Sequence, residues 1–349
     1  MLSAGTKSDL TPVEFAPPPV DPDTVWRHVV EPVDHFLKNV AKQLVAQVDA
    51  FDPEVAPYAH YALTSQGKQL RPALLGLSAS IFQNPGQPVV TAAVIIEMIH
   101  LATLVHDDIM DEAALRRSRP TLAANWGNQI SVLLGDSLFA HALKLAAGYP
   151  TTEVCRAVSG ATKTVCSGEI LQTLRRSQKT TSREDYFRIL AMKTAELFAL
   201  SCELGASLSG ASTAECQALK DFGLNLGIAY QVYDDCLDLF ATESATGKTV
   251  GGDLASGKVT LPLLVALERS APPQRERTLH LIQNWEPSHL GELLQILANT
   301  DALPEAQNTV QELLHTARCA IENLPDCPSL DALNHLTHFL AQQTSQIGS

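Results

Sequence analysis

Aromatic residues are scarce in this chain. Three Trp, six Tyr and ten Phe make up 5% of its 349 residues, too few for a platform on which successive nucleotide bases would stack. Positive charge is also short: 25 Lys and Arg stand against 38 Asp and Glu, a formal net charge of −13 at pH 7. Nucleic acid requires a broad basic surface, so that class of partner is excluded. The seven cysteines, at 155, 166, 202, 216, 236, 319 and 327, form no Cys-x-x-Cys pair. Their scatter excludes a zinc ribbon or a disulfide framework and points to free thiols in a reducing cytoplasm. No basic segment followed by an apolar run opens the chain, so no secretion signal is expected. The longest charge-free stretch, 72–96, is cut by QNPGQP at 83–88. Neither piece is long enough to cross a bilayer as a helix, and no transmembrane segment is expected.

What is present is helical periodicity. Residues 1–24 are rich in Pro and small polar residues and read as a mobile arm. From 25 to 349 the chain reads as a single domain. Val33, Phe36, Leu37, Val40, Leu44 and Val45 fall at three- and four-residue steps, the stripe of an amphipathic helix. Similar stripes run through 89–112, 129–147, 155–174, 184–209, 213–240, 258–269 and 305–324. Gly, Pro and Asn break them at 83–88, 148–150, 210–212, 247–257 and 325–328. No alternating apolar run with hairpin turns appears, and no short repeat. The fold class is all-α, with roughly ten or more helices around one core.

Chemistry enters with LVHDDIMDEA at 104–113. Asp107, Asp108 and Asp111 stand at i, i+1 and i+4 directly after an apolar run. On a helix, i and i+4 share a face. Three carboxylates so close repel one another unless a cation joins them, and hard oxygen donors favour Mg²⁺. A lone cluster of this kind is ordinarily a solvated acidic face. Here QVYDDCLDLF at 231–240 repeats the arrangement with Asp234, Asp235 and Asp238. Two such triplets facing one another across a cavity would hold several Mg²⁺, and the ions would hold a diphosphate. Cationic partners stand nearby: Lys68 and Arg71 in GKQLRP, ahead of a helix started by Pro72; Arg116 and Arg117 just past the first triplet; and Lys193, Lys248 and Lys258.

In order along the chain, these elements resemble the trans-isoprenyl (polyprenyl) diphosphate synthases. The resemblance runs through GKQLRP, EMIHLATLVHDDIMDEAALRRSRPT, GDSLFAHAL, GEILQ, KTAELF, and QVYDDCLDLF with GKTVGGDLASGKVTLPLL. It implies the all-α isoprenoid-synthase bundle around a central cavity, a homodimer, and three Mg²⁺ ions. The reaction implied is head-to-tail condensation of isopentenyl diphosphate onto an allylic diphosphate. Asp107, Asp108 and Asp111 would hold two Mg²⁺, and Asp234, with Asp235 and Asp238 nearby, the third. Arg116, Lys193, Lys248 and Lys258 would grip the allylic diphosphate. Lys68, Arg71, His100 and Arg117 would bind isopentenyl diphosphate, and Gln172 would lie near the first metal cluster. Thr194 and Gln231 would turn oxygen dipoles toward the allylic cation, and the stretch Gly247–Gly257 would close as a lid.

Product length is read beneath the first triplet, where Ala102 and Thr103 lie about one turn below Asp107. Bulky aromatic residues there stop growth at fifteen carbons in the family, so two small ones imply a longer all-trans product of the quinone-tail type. A geranylgeranyl diphosphate synthase is the shorter alternative. Other readings are weaker. Gly247-Lys248-Thr249 lacks the first glycine of a phosphate loop, since Thr242 stands there. Glu97-x-x-His100 and Glu312-x-x-His315 have di-iron spacing but leave both Asp triplets without a role. A terpene cyclase would carry a different second metal motif, and a non-catalytic subunit would be expected to lose an acidic motif.

Overall fold

A computed structural model describes residues 22–65, 67–176, 181–241 and 250–348 of the chain. Lys248, the first part of the expected lid and the arm as far as residue 21 lie outside the described residues. Pro22–Thr24 open the first helix.

Helix α1 covers Pro22–Val30, α2 Asp34–Ala46, α3 Ala56–Leu63 and α4 Leu70–Ser80. Helix α5 is long, Gln87–Met110, and α6 is a short turn at Leu122–Trp126. Helices α7 (Asn128–Ala147), α8 (Glu153–Arg176), α9 (Arg183–Leu190), α10 (Glu196–Ser207) and α11 (Thr213–Phe240) complete the central set. A π-helical turn, Ala191–Ala195, joins α9 to α10. The chain ends in helices over Leu261–Arg269, Pro272–Gln283, Leu290–Asn299, Ala302–Ala320 and Pro328–Ser345.

The boundaries follow local chemistry. Ser212 accepts from the backbone N–H of Glu215, whose carboxylate accepts from the N–H of Ser212, so α11 starts on a reciprocal capping box. Helices α4 and α5 are apolar on nearly every face, and Pro72–Ala79 and Val94–Ile99 are buried throughout. They form the centre with α10 and α11. Glycines let these backbones touch: a methyl group at Gly205 would fall 2.2 Å from the Leu75 carbonyl oxygen on α4. At Gly223 it would fall 2.6 Å from the Phe198 oxygen on α10. The buried apolar side chains form one cluster running from Val29 to Ile347.

Three sequence expectations are corrected. First, the chain after α5 is not purely helical: Leu115–Arg116 (β1) and Arg119–Pro120 (β2) pair antiparallel. Arg117 and Ser118 form the turn at φ 51° and 60°. Two residues per strand and a turn without glycine leave no periodic signal. Second, α4 begins at Leu70, so Pro72 lies inside its first turn and does not start it. Third, the apolar run after the 83–88 break continues to Met110. Both α5 and α7 are thus long and apolar enough to cross a membrane by length and composition. For α5, 72% of its most apolar stretch is buried by the rest of the fold; for α7 the figure is 33%.

Candidate active site

The first triplet sits where α5 ends. Asp107 and Asp108 are in its last turn, and Asp111 follows Met110 with its N–H on the Asp107 carbonyl at 2.8 Å. The closing turn keeps all three carboxylates at one end of the helix. Each is held by a cation. Arg116 donates to Asp108 at 2.6 Å, carried back over α5 by the two-residue ribbon. Lys193, on the π turn, stands 3.9 Å from Asp107. Asp111 has two cations, Arg176 on Oδ1 at 2.9 Å and Lys258 3.6 Å from Oδ2.

The second triplet lies near the C-terminal end of α11. Asp235 is buried and accepts from Tyr186 at 2.6 Å and from Gln231 at 2.9 Å. Asp238 accepts the N–H groups of Gly252 and Asp253, both at 3.1 Å. These open a short helix, Gly252–Ala255, where an acidic oxygen meets the positive end of the helix.

Two chains of contacts join the triplets. One runs from Asp111 through Lys258 to Asp253, at 3.6 and 3.1 Å, and by the Asp253 N–H to Asp238. The other runs from Asp107 to Lys193. The neighbouring Thr194 hydroxyl bonds the Gln231 carbonyl oxygen at 3.0 Å, and Gln231 donates to Asp235. The acidic clusters are therefore linked by two short paths of ion pairs and hydrogen bonds.

Burial sets their acidity. It pushes Asp107 up to about 6, against the pull of Lys193, with Glu169 and Asp111 adding to the rise. Burial and Asp253 push Asp238 up to about 6 and Asp235 well above the carboxylate range. Asp111 goes the other way: burial alone would raise it, but Lys258, Arg176 and Lys193 outweigh that and hold it low. Among the described residues no three carboxylates converge on one ion position. The donor set is carboxylate oxygen, the chemistry hard divalent ions prefer.

The remaining basic residues lie at the mouth of α4 and α5. Arg71 stacks 4.9 Å over the Phe198 ring, and its buried Nε has no hydrogen-bond partner among the described residues. Arg117 donates to the Ser65 carbonyl at 2.7 Å, its guanidinium lying where any side chain at Gly67 would be. Burial and the nearby Arg71, Arg117 and Arg116 push the His100 imidazole well below its usual range, so it is neutral at pH 7. Lys68 is exposed beside them. Gln172 accepts from Lys193 at 2.8 Å.

Sequence reasoning missed four members of the site: Glu169, Arg176, Tyr186 and Asp253. Glu169 lies within GEILQ and forms an ion pair with Lys193. Its helix reaches the π turn because Gly168 has no side chain; a methyl there would fall 2.8 Å from the Lys193 nitrogen. Asp253 is in GGDLASGK, where an acid between two glycines was a readable signal. Nothing local marks Tyr186 or Arg176.

The sequence model of the polyprenyl synthetase family matches residues 52–300, more than two thirds of the chain. The octaprenyl diphosphate synthase of Haemophilus influenzae is 34% identical over 307 residues, covering 88% of this chain and 93% of that protein. The all-trans-nonaprenyl-diphosphate synthase (geranyl-diphosphate specific) of Rhodobacter capsulatus is 35% identical over 308 residues, covering 88% and 92%. Among solved structures, the polyprenyl synthase of Caulobacter crescentus CB15, complexed with calcium and isoprenyl diphosphate, superposes with a TM-score of 0.84. It is 31% identical and covers 90% of this chain and 97% of that one. The chain belongs to the polyprenyl synthetase family and has its all-α isoprenoid-synthase fold. It is an enzyme, a prenyltransferase of the long-chain trans-polyprenyl diphosphate synthase class.

Proposed function

We propose that residues 25–349 form one catalytic domain that condenses isopentenyl diphosphate onto an allylic diphosphate. The product is an all-trans chain longer than fifteen carbons. The observation that carries this reading is the double bridge between the acidic triplets, through Lys258 and Asp253 and through Lys193, Thr194 and Gln231. Asp107, Asp108 and Asp111 on one wall and Asp234, Asp235 and Asp238 on the other would hold three Mg²⁺. When bound, Mg²⁺ supplies charge stabilisation to the departing diphosphate.

The residues of the chain do the rest. Arg116, Lys193 and Lys258 turn from the carboxylates of the first triplet to the allylic diphosphate and bear the charge that develops as the C–O bond breaks. The Thr194 and Gln231 oxygens, fixed on one another at 3.0 Å, face the allylic cation. Lys68, Arg71, His100 and Arg117 hold isopentenyl diphosphate, so its double bond attacks from a bound position. The released diphosphate takes the final proton. The segment around Gly251–Gly257 covers the site and keeps water from the cation. Ala102, buried, and Thr103, half-buried, leave the floor below Asp107 without a bulky stop.

We infer a homodimer formed by α7 and α8, which pack together and expose Val132, Leu133, Ile170 and Leu174. A cytoplasmic location is supported by seven cysteines that are all free. The test is direct: incubate the purified chain with Mg²⁺, isopentenyl diphosphate and allylic primers, and measure the product. A prenyl chain beyond fifteen carbons is expected. No condensation, or arrest at fifteen carbons, would overturn the reading.

A further inference from the structure

We infer that Arg176 is a diphosphate-binding residue of this site, an inference that rests on the function proposed above. Arg176 ends α8, and its side chain is 18% exposed. It reaches Asp111 at 2.9 Å and Glu169 at 4.0 Å. Gly257 lies over it, 3.9 Å from its Cβ measured from the place a side chain would occupy. The base of the side chain thus lies beneath Gly257, and the guanidinium stands on the third acid of the first triplet, which it shares with Lys258.

Arg116 loses Asp108 to a divalent ion and is already assigned to the diphosphate above; among the cations on Asp107 and Asp111, Arg176 is left with the fewest partners. If divalent ions claim Asp107 and Asp111, the cations now resting on those carboxylates lose them. Lys193 keeps Glu169 as an ion-pair partner and Gln172 at 2.8 Å. Lys258 keeps Asp253 at 3.1 Å. Arg176 is left with Glu169 Oε1 at 4.0 Å, on a carboxylate whose other oxygen pairs with Lys193. Its Nε is buried and has no hydrogen-bond partner among the described residues. A guanidinium that loses its one close carboxylate beside a divalent ion needs an acceptor with several oxygens and negative charge. A diphosphate bridging the ions provides it, and the Nε and Nη2 edge suits a phosphate oxygen pair.

A structural role would be different: Arg176 would neutralise Asp111 and do nothing for the anion. Calorimetric titration of the full chain with inorganic pyrophosphate in Mg²⁺ separates the two. Arg176→Gln is expected to weaken pyrophosphate binding about 10- to 100-fold, with Arg176→Lys intermediate because it keeps charge but loses the fork. Arg175→Gln, next in sequence but paired with Asp185 at 3.2 Å, serves as the control and should bind as the parent does. Circular dichroism of each variant checks that it is folded. Unchanged pyrophosphate affinity in Arg176→Gln, with or without tighter Mg²⁺ binding, would overturn the assignment alone. Failure of the parent chain to bind pyrophosphate in Mg²⁺ would overturn the functional reading beneath it as well.

Discussion

The Lys258 ammonium lies 3.6 Å from the Asp111 carboxylate, and this contact ties the end of α5 to the short helix capped by Asp238. The same ammonium is 3.1 Å from Asp253. One cation therefore stands between the two acidic triplets. Four of the site's cations, Arg116, Arg176, Lys193 and Lys258, are engaged in this way with carboxylates of the first triplet.

Such pairing makes metal and anion binding mutually dependent. Mg²⁺ alone must displace cations from the carboxylates, and pyrophosphate alone would meet those carboxylates as neighbours. Together they exchange partners without leaving a buried charge alone. Pyrophosphate affinity should rise at least about 100-fold when Mg²⁺ is added, measured by titration calorimetry with and without chelator. Equal affinity in both conditions would contradict the pairing.

The buried Asp107 and Asp238 should destabilise the metal-free protein as pH rises, a contribution opposite in sign to that of the neutral, buried His100. Asp107 and Asp238 are pushed up to about 6, so the folded protein favours their protonated forms. That contribution is fully present below the unfolded value near 4 and is lost as pH passes through about 6. In chelator, the melting temperature of the parent should therefore fall relative to that of Asp107→Asn between pH 5 and pH 7.5. The difference should reach roughly 1–3 kcal/mol in favour of Asp107→Asn at pH 7.5. A variant less stable than the parent at that pH would count against the charge burial described here.

Chain length should respond to bulk beneath Asp107. Ala102 is completely buried, so Ala102→Phe should shorten the product and also cost about 1–3 kcal/mol through overpacking. Thr103 is half-buried on the face of Asp107, so Thr103→Phe should shorten the product at less cost in stability. Products are measured by chromatography of the dephosphorylated chains. Unchanged length in both variants would place the floor elsewhere.

The Tyr186 hydroxyl holds Asp235 in the buried wall of the site. Removing it in Tyr186→Phe leaves the carboxylate with one donor fewer, which should cost about 1–3 kcal/mol of stability. Turnover should fall about tenfold while KM for both substrates changes little, because Tyr186 positions Asp235, proposed above to hold Mg²⁺. A change confined to KM would argue against that role.

Association should depend on the exposed face of α7 and α8. Leu133 is 65% and Ile170 60% exposed. Leu133→Asp with Ile170→Asp should yield a monomer by light scattering if these side chains are the seam of the dimer. A dimer that persists would move the interface to another surface.

Much of this was readable in the chain. The stripes at 129–147, 155–174 and 213–240 lie within two residues of α7, α8 and α11 at each end, because amphipathic faces and the Ser212 cap are local signals. Lys193, Thr194, Gln231 and Lys258 were picked out by their motifs, and in the fold they connect the two Asp triplets through ion pairs and hydrogen bonds. The β1–β2 ribbon and the π turn at Ala191–Ala195 were not readable: each is a departure of a few residues from regular backbone, set by tertiary contacts such as Arg116 on Asp108. Arg176 and Tyr186 were hidden for a related reason. A lone basic or phenolic residue on a helix gains meaning only from what α5 and α11 bring against it.

One titration tests the central claim most directly: Mg²⁺-dependent pyrophosphate binding to the parent, to Asp107→Asn with Asp111→Asn, to Asp234→Asn with Asp235→Asn, and to all four changes together. Either pair of changes should cost at least about 100-fold, and the four together little more than one pair, because both walls serve one bound anion. Full affinity after loss of either wall, or losses that simply add, would contradict a shared site.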